Sequence, residues 1–124
     1  MIFDLDNDGD LDVVTGEFND RPQVLVSNLT HRRSVHFLKV QLIGSRSNRD
    51  GLGATVSVHT AGKMLTQYHD GKSGYLAQSS LPLYFGLGET NAVEYLEIKW
   101  PTGGLQRITS PLANRLLKIT EPAQ

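Results

Sequence analysis

Apolar and polar residues alternate along much of the chain after residue 36. In the segments 38–42, 54–58 and 96–100 the apolar residues occupy every second position, which is the pattern of a strand with one buried face. Turn-forming residues separate these segments, and the helical period of about 3.6 residues is almost absent. The pattern predicts an all-β fold, either an antiparallel β-sandwich or a partly open barrel. Only residues 110–115 are predicted to hold a helical turn.

A β-hairpin is predicted where residues 61–62 form a tight turn. The pairing that follows from this turn places His59 opposite Met64 and His69 opposite Ala54. The two histidines are therefore not expected to converge on a metal ion.

The first thirty residues have a different character. Val13-Val14 and Val24-Leu25-Val26 predict two short strands joined by a polar turn, and a hairpin of this size cannot bury a core alone. Three parts are therefore predicted: a leader at residues 1–30, a linker at residues 31–35 and a β domain at residues 36–121.

The leader opens with an acidic loop, residues 4–12, in which five aspartates occupy alternate positions. These carboxylates repel one another unless a cation or basic side chains neutralise them. Oxygen ligands at alternate positions and Gly9 for the sharp turn suit calcium, which takes about six to eight oxygens. The loop is not an EF-hand, because Thr15 stands where that loop needs glutamate. The predicted ligands are the side chains of Asp4, Asp6, Asp8 and Asp12 and the backbone carbonyl of Asp10.

Composition narrows the possible functions. The chain has 124 residues, of which 39% are hydrophobic, with 12 glycines and 5 prolines, and this favours a single turn-rich β domain over a helical one. A net charge of −1 gives no indication of a nucleic-acid partner. The sequence has no cysteine, which excludes disulfides and thiolate catalysis, and no apolar run long enough for membrane insertion.

Motifs for catalysis fail on their spacing. Gly71-Lys72-Ser73 matches the end of a phosphate-binding loop, but Thr66 stands where the first glycine is required. The residues around Ser73 do not form a nucleophile elbow. His69 and Asp70 are adjacent, so in a strand they would point to opposite faces. The sequence therefore holds no credible catalytic constellation.

Four motifs in the β domain resemble those of the ASPIC/UnbV family and occur in the family's order. They are Ser47–Ala54 (SNRDGLGA), Ser73–Ser80 (SGYLAQSS), Phe85–Gly88 (FGLG) and Trp100–Gly103 (WPTG). The acidic loop is similar to the calcium loop of FG-GAP/VCBS repeats, which are β-propeller blades that commonly precede this domain. The resemblance implies a secreted or surface protein, extracellular or on the bacterial cell surface or in the periplasm. It also implies an upstream propeller, of which this chain would carry the last, truncated blade.

These observations predict a non-enzymatic, calcium-binding interaction or adhesion module. Its ligand would be an unidentified protein or glycan, and the edge of the leader hairpin offers a place for a homodimer. A carbohydrate-binding module with exposed aromatic rings, an accessory domain of a biosynthetic enzyme and a structural cap for the propeller are the alternatives. Trp100, held extended before proline, is predicted to lie in the core or at its rim. Half-buried sheet positions are predicted for Tyr68, Tyr75, Tyr84 and Tyr95.

Overall fold

The computed structural model describes residues 1–74, 77–78 and 82–123. The strands are β1 (Ile2–Phe3), β2 (Asp12–Thr15), β3 (Gln23–Leu25), β4 (His36–Ile43), β5 (Thr55–Thr60), β6 (Lys63–Tyr68), β7 (Lys72–Gly74), β8 (Ala77–Gln78), β9 (Leu83–Gly88), β10 (Tyr95–Lys99), β11 (Leu105–Thr109) and β12 (Arg115–Thr120). The helix α1 spans Leu29–Arg32. Within these ranges no helix has the length and hydropathy needed to cross a membrane.

Two sheets share one hydrophobic core, which confirms the all-β sandwich. The first sheet has the order β11-β10-β5-β6 and the second the order β12-β4-β9, and neither closes into a barrel. The inward residues of the alternating segments are all buried. Together with residues of β9 and β12 and with Val93 before β10 they form the core: Leu38, Val40, Leu42, Ala54, Val56, Val58, Phe85, Leu87, Val93, Leu96, Ile98, Trp100 and Ile119. The alternating pattern therefore predicted the buried face of each segment correctly.

The hairpin between β5 and β6 has the predicted register. His59 lies opposite Met64, and the His69 backbone N–H donates to the Ala54 carbonyl at 2.8 Å. Ala61 and Gly62 both have positive φ, 46° and 70°, as a two-residue turn with the strand twist requires.

One strand pair departs from the antiparallel pattern. β12 runs parallel to β4, with Leu117 opposite Val40, while the other pairs in the two core sheets are antiparallel. A parallel pair needs a long connection. Here the chain supplies it by passing through the other sheet between β4 and β12.

The predicted position of the helical turn is wrong. Residues 110–114 form no helix, and Ser110 and Asn114 have left-handed backbones with φ of 48° and 58°. Residues in that conformation interrupt a right-handed helix. The four-residue helix lies instead at Leu29–Arg32, where the leader meets the predicted linker.

The leader forms its own small sheet, in the order β1-β2-β3. It contacts the outer face of the β12-β4-β9 sheet. That face is built by the residues of β4 that alternate with the core, Phe37 and Lys39, and by Tyr84 of β9. The acidic loop connects β1 to β2 and contacts this face through Asp4 and Gly9.

Candidate functional site

Local hydrogen bonds fold the acidic loop back on itself. Asn7 and Gly9 have positive φ, 63° and 98°, so the backbone turns sharply on either side of Asp8. The Asp8 N–H donates to Asp6 Oδ1 at 3.2 Å, and the Asp10 N–H donates to Asp8 Oδ1 at 3.0 Å. These short-range bonds are the Asx turns that aspartate favours, and they hold neighbouring carboxylates on the inside of the loop.

Three of the predicted calcium ligands converge. One oxygen from each of Asp4, Asp6 and Asp8 lies within 4.8 Å of the other two. The side chain of Asp4 is 1% exposed, whereas Asp6 is exposed. The group is therefore closed on the side of the β domain and open to solvent on the other.

Two buried carboxylate oxygens of the loop accept no hydrogen bond from any described residue. They are Asp4 Oδ1 and Asp10 Oδ1. A buried ionised oxygen without a donor or a cation is costly, and such atoms are rare in folded proteins. Hard divalent cations prefer carboxylate oxygens, so the donor set at Asp4, Asp6 and Asp8 fits the predicted calcium ion.

Asp10 and Asp12 lie outside this group of three. The two oxygens of Asp12, a fully buried residue, accept the backbone N–H groups of Leu5 at 2.7 Å and Ser27 at 2.8 Å. Asp10 Oδ2 accepts the backbone N–H and the hydroxyl of Thr30 at 3.0 and 3.2 Å. Both carboxylates thus tie the loop to the segment after β3. The role predicted for them in binding the ion stays a prediction.

The contacts of Asp10 stabilise its ionised form. Burial opposes ionisation, but hydrogen bonds led by the Thr30 backbone N–H outweigh burial and lower the pKa of Asp10. The Thr30 hydroxyl also donates to Asp8 Oδ2 at 2.7 Å. Thr30 lies 20 and 22 residues from these two aspartates, so no local pattern pointed to it.

Lys39 brings the β domain's positive charge to the loop. Its Nζ lies 2.5 Å from Asp4 Oδ2, and the two side chains are 16% and 1% exposed. The Gly9 N–H donates to the same oxygen at 3.1 Å. Charge repulsion in the loop predicted a counter-ion or a basic partner, but it did not indicate which residue.

Two aromatic residues complete the contact between the loop and the sheet. The Tyr84 hydroxyl donates to the Gly9 carbonyl, and its ring stacks on Phe37 with 5.8 Å between centroids. The Phe37 ring occupies the space that a side chain on Gly9 would need. Burial and the negative charges of the acidic loop raise the pKa of Tyr84 to about 12. The phenol therefore stays protonated, and able to donate, well above neutral pH.

A second carboxylate site lies at the far end of the same sheet, and the sequence pattern did not indicate it. Glu121 follows β12 and is 3% exposed. Its Oε2 accepts hydrogen bonds from the backbone N–H groups of Ser45 (3.1 Å), Arg46 (2.9 Å) and Ser47 (2.8 Å) and from the Ser47 hydroxyl (2.8 Å). Its Oε1 accepts the Thr102 hydroxyl at 2.7 Å. The carboxylate thus joins the loop after β4 to the turn between β10 and β11.

These donors determine the ionisation of Glu121. Burial of the carboxylate opposes ionisation, but the hydrogen bonds from the Ser47 backbone and the Thr102 hydroxyl outweigh burial and lower the pKa of Glu121 to about 2. Accepting several N–H and O–H bonds is the usual cause of so low a value.

The aromatic residues considered for glycan binding have mixed positions. Trp100 is 2% exposed, and its Nε1 donates to Gln106 Oε1 at 2.9 Å, so its predicted place in the core is confirmed. Tyr84 and Tyr95 are half-buried as predicted. The prediction for Tyr68 is wrong, because this residue ends an edge strand and is 62% exposed. The predictions for Tyr75 and for half of the motif Ser73–Ser80 concern residues outside the described ranges.

The molecule is therefore an all-β sandwich that carries an acidic hairpin on one outer face. The family model described as ASPIC and UnbV matches residues 44–124, more than half of the chain, and the chain belongs to this family. The matched region contains Glu121 and its donors, while the acidic loop precedes it. Comparison with curated proteins found no match.

Proposed function

We propose that this chain is a non-catalytic, calcium-binding interaction module of an extracellular protein. One observation carries the proposal. The oxygens of Asp4, Asp6 and Asp8 converge within 4.8 Å, and the buried Asp4 Oδ1 has no donor among the described residues. A bound calcium ion supplies the positive charge that these carboxylates lack.

The ion's role in this proposal is structural. Asp12 and Asp10 hold the loop against the rest of the leader, while Lys39 and Tyr84 hold it against the sheet. Without the ion, repulsion among the carboxylates opposes both sets of contacts. Calcium therefore stabilises the hairpin in its docked position and with it the surface that the module presents.

The extracellular assignment agrees with the openness of the site. Extracellular calcium modules function with dissociation constants of about 10⁻⁴–10⁻³ M, and the affinity of such a site depends on the number of ligand charges and on its rigidity. On the similarity of the loop to FG-GAP/VCBS repeats, residues 1–30 are the last part of such a repeat. An upstream propeller is then the leader's neighbour in the full-length protein.

The proposed partner is a protein or a glycan, and the leader offers one edge for a protein strand. All three residues of β3 are exposed, and Val24 and Leu25 are 53% and 55% exposed. β3 lies at the edge of its sheet, so its outer backbone groups are available to a further strand. A second copy of the chain is one such partner.

Calcium titration of matched variants tests the metal proposal. Asp6→Asn removes a charge from the cluster and keeps a side-chain oxygen for the Asp8 N–H. Asp20→Asn makes the same change at an exposed aspartate of the leader that also accepts a local backbone N–H. Calcium is expected to raise the Tm of the wild type and of Asp20→Asn and to raise that of Asp6→Asn much less. At about 100 times the dissociation constant, the expected stabilisation is about 2.7 kcal/mol.

The comparison with a chelator decides the outcome. If the melting curves of the wild type in calcium and in EDTA superimpose at neutral pH, the loop does not bind calcium with useful affinity. If Asp6→Asn and Asp20→Asn respond equally, calcium binds elsewhere.

A further inference from the structure

We propose that Lys39 is a built-in counter-ion that competes with calcium for Asp4. In the ion-free protein Lys39 keeps the acidic loop docked, and in the calcium-bound protein its charge lowers the affinity of the site. This inference rests on the proposed function and adds a regulating residue that belongs to the β domain and not to the loop.

The contact between Lys39 and Asp4 is short and shielded from water. The Nζ–Oδ2 distance is 2.5 Å, with side-chain exposures of 16% and 1%. Charge-assisted hydrogen bonds of this kind are stronger than neutral ones, and removing one partner of a buried pair leaves an uncompensated charge. Lys39 is therefore the residue that makes a buried Asp4 tolerable when no ion is bound.

One ammonium group cannot neutralise the whole loop. Five aspartates lie between residues 4 and 12, and Lys39 reaches only one oxygen of Asp4. Asp4 Oδ1 and Asp10 Oδ1 remain buried without a donor among the described residues. Lys39 thus neutralises only part of the negative charge at the site. A divalent cation neutralises more of it.

The Lys39 side chain is largely enclosed, with 16% of it exposed, on a strand of the core sheet. Lys39 lies in the middle of β4 between Leu38 and Val40, which are 0% and 1% exposed, so its backbone belongs to the core sheet. Its Nζ also lies 5.2 Å from the centroid of the Phe37 ring. An ion on Asp4 therefore shares this carboxylate with an ammonium group, and the two positive charges repel each other at short range.

Lys39→Met tests the competition, with Lys118→Met as the matched control. Lys118 is an exposed lysine of the adjacent strand β12 and lies on the same outer face of the sheet. In EDTA, Lys39→Met is expected to melt at a lower temperature than Lys118→Met. In titration calorimetry with calcium chloride, Lys39→Met is expected to bind about tenfold more tightly than the wild type, and Lys118→Met to match the wild type.

A third variant separates charge from shape. Lys39→Arg keeps the positive charge and is expected to bind calcium as the wild type does. If Lys39→Arg binds as tightly as Lys39→Met, the charge is not the cause and the inference is wrong. If Lys39→Met is unfolded in EDTA, recovery of its fold by calcium supports the exchange of counter-ions, and failure to recover contradicts it.

The remaining outcomes distinguish this inference from the proposed function. If the wild type binds calcium and Lys39→Met binds no more tightly than Lys118→Met, the calcium function stands and the competition is overturned. If Lys39→Met binds calcium and the wild type does not, Lys39 fills the site permanently. That result supports the competition and contradicts calcium binding by the natural chain. If neither binds calcium, both proposals fail.

Discussion

Glu121 and Asp4 both carry buried carboxylates next to the β12-β4-β9 sheet, yet their surroundings differ. Glu121 accepts three consecutive backbone N–H groups and two hydroxyls, so both of its oxygens have donors. Asp4 gives one oxygen to Lys39 and the Gly9 N–H, and its other oxygen has no donor among the described residues. Donors of the chain itself satisfy both oxygens of Glu121, but they satisfy only one of the two oxygens of Asp4.

The difference follows from the density of charge. A single carboxylate can be satisfied by one turn of backbone, because successive N–H groups point into the same concavity. Five aspartates at alternate positions have more carboxylate oxygens than the donors of a short loop can satisfy. Each position taken by an aspartate is also lost to a side chain that could donate. Glu121 is therefore a structural connection satisfied by its own donors, whereas the acidic loop keeps two buried oxygens without donors among the described residues, and the proposed cation site rests on these oxygens.

The largest expected effect on stability comes from removing the carboxylate of Glu121. Glu121→Ala leaves the N–H groups of residues 45–47 without their acceptor, and each lost hydrogen bond to a charged group is costly. We expect the Tm to fall by about 12 °C, by the same amount in calcium and in EDTA. Thermal unfolding in both buffers measures this.

Glu89→Ala is the control for that change, because Glu89 is an exposed glutamate of the same β domain. It is expected to leave the Tm nearly unchanged. If calcium restores the Tm that Glu121→Ala loses, the Glu121 site also depends on a cation. The proposed difference between Glu121 and the acidic loop would then be wrong.

A smaller effect is expected at the contact between the loop and the sheet. Gly9→Ala places a methyl group in the space of the Phe37 ring at a residue with φ of +98°, while Gly62→Ala meets nothing within 4 Å at a φ of +70°. Both variants strain the backbone, and only the first adds overlap with a neighbour. We expect a fall in Tm of about 8 °C for Gly9→Ala and about 4 °C for Gly62→Ala.

Differential scanning fluorimetry of the two alanine variants checks this prediction. Equal losses would mean that the leader is not held closely against Phe37. In that case a change in the acidic loop would not alter the stability of the β domain through this contact.

The smallest effect is expected from moderate acid. Because folding lowers the pKa of Glu121 from 4.5 to about 2, its ionisation contributes stability that is complete above the unfolded value. That contribution is lost as the pH falls from about 4.5 towards about 2. The measured gap is the difference in the free energy of unfolding between the wild type and Glu121→Ala. It should be equal at neutral pH and at about pH 5, and smaller at about pH 3.

Urea unfolding of both proteins at the three pH values measures the gap. A gap that is unchanged at the lowest value would show that the donors around Glu121 do not depend on its charge. A gap that already closes at about pH 5 would show that another group titrates, because a carboxyl with an unfolded pKa of 4.5 keeps its contribution above that value.

Predictions from the sequence succeeded where the deciding residues are near one another in the chain. Alternation in residues 38–42 predicted the buried face of β4, and the turn at residues 61–62 predicted that His59 pairs with Met64. The predicted position of the helical turn was wrong, because Ser110 and Asn114 have left-handed backbones that interrupt the segment. Exposure of Tyr68 was missed because edge strands cannot be distinguished from central ones by their period alone.

The acidic loop shows the same division within one site. Its spacing placed Asp4, Asp6 and Asp8 together, and the structure brings one oxygen of each within 4.8 Å of the others. A local Asx turn joins Asp6 to Asp8, and the Gly9 N–H donates to Asp4 from only five residues away. The spacing did not distinguish Asp12, whose two oxygens accept backbone N–H groups 7 and 15 residues away.

By itself, the sequence determined the all-β class, the faces of the main strands, the resemblance to the ASPIC/UnbV family and the convergence of three of the five acidic side chains, Asp4, Asp6 and Asp8. Only the tertiary structure decided how the buried charges are balanced. Lys39 reaches Asp4 across 35 residues, and Glu121 receives its backbone donors across 74 to 76 residues. The reason is that such partners meet through the pairing and packing of sheets. A local sequence pattern does not indicate which distant strand will lie beside a given strand.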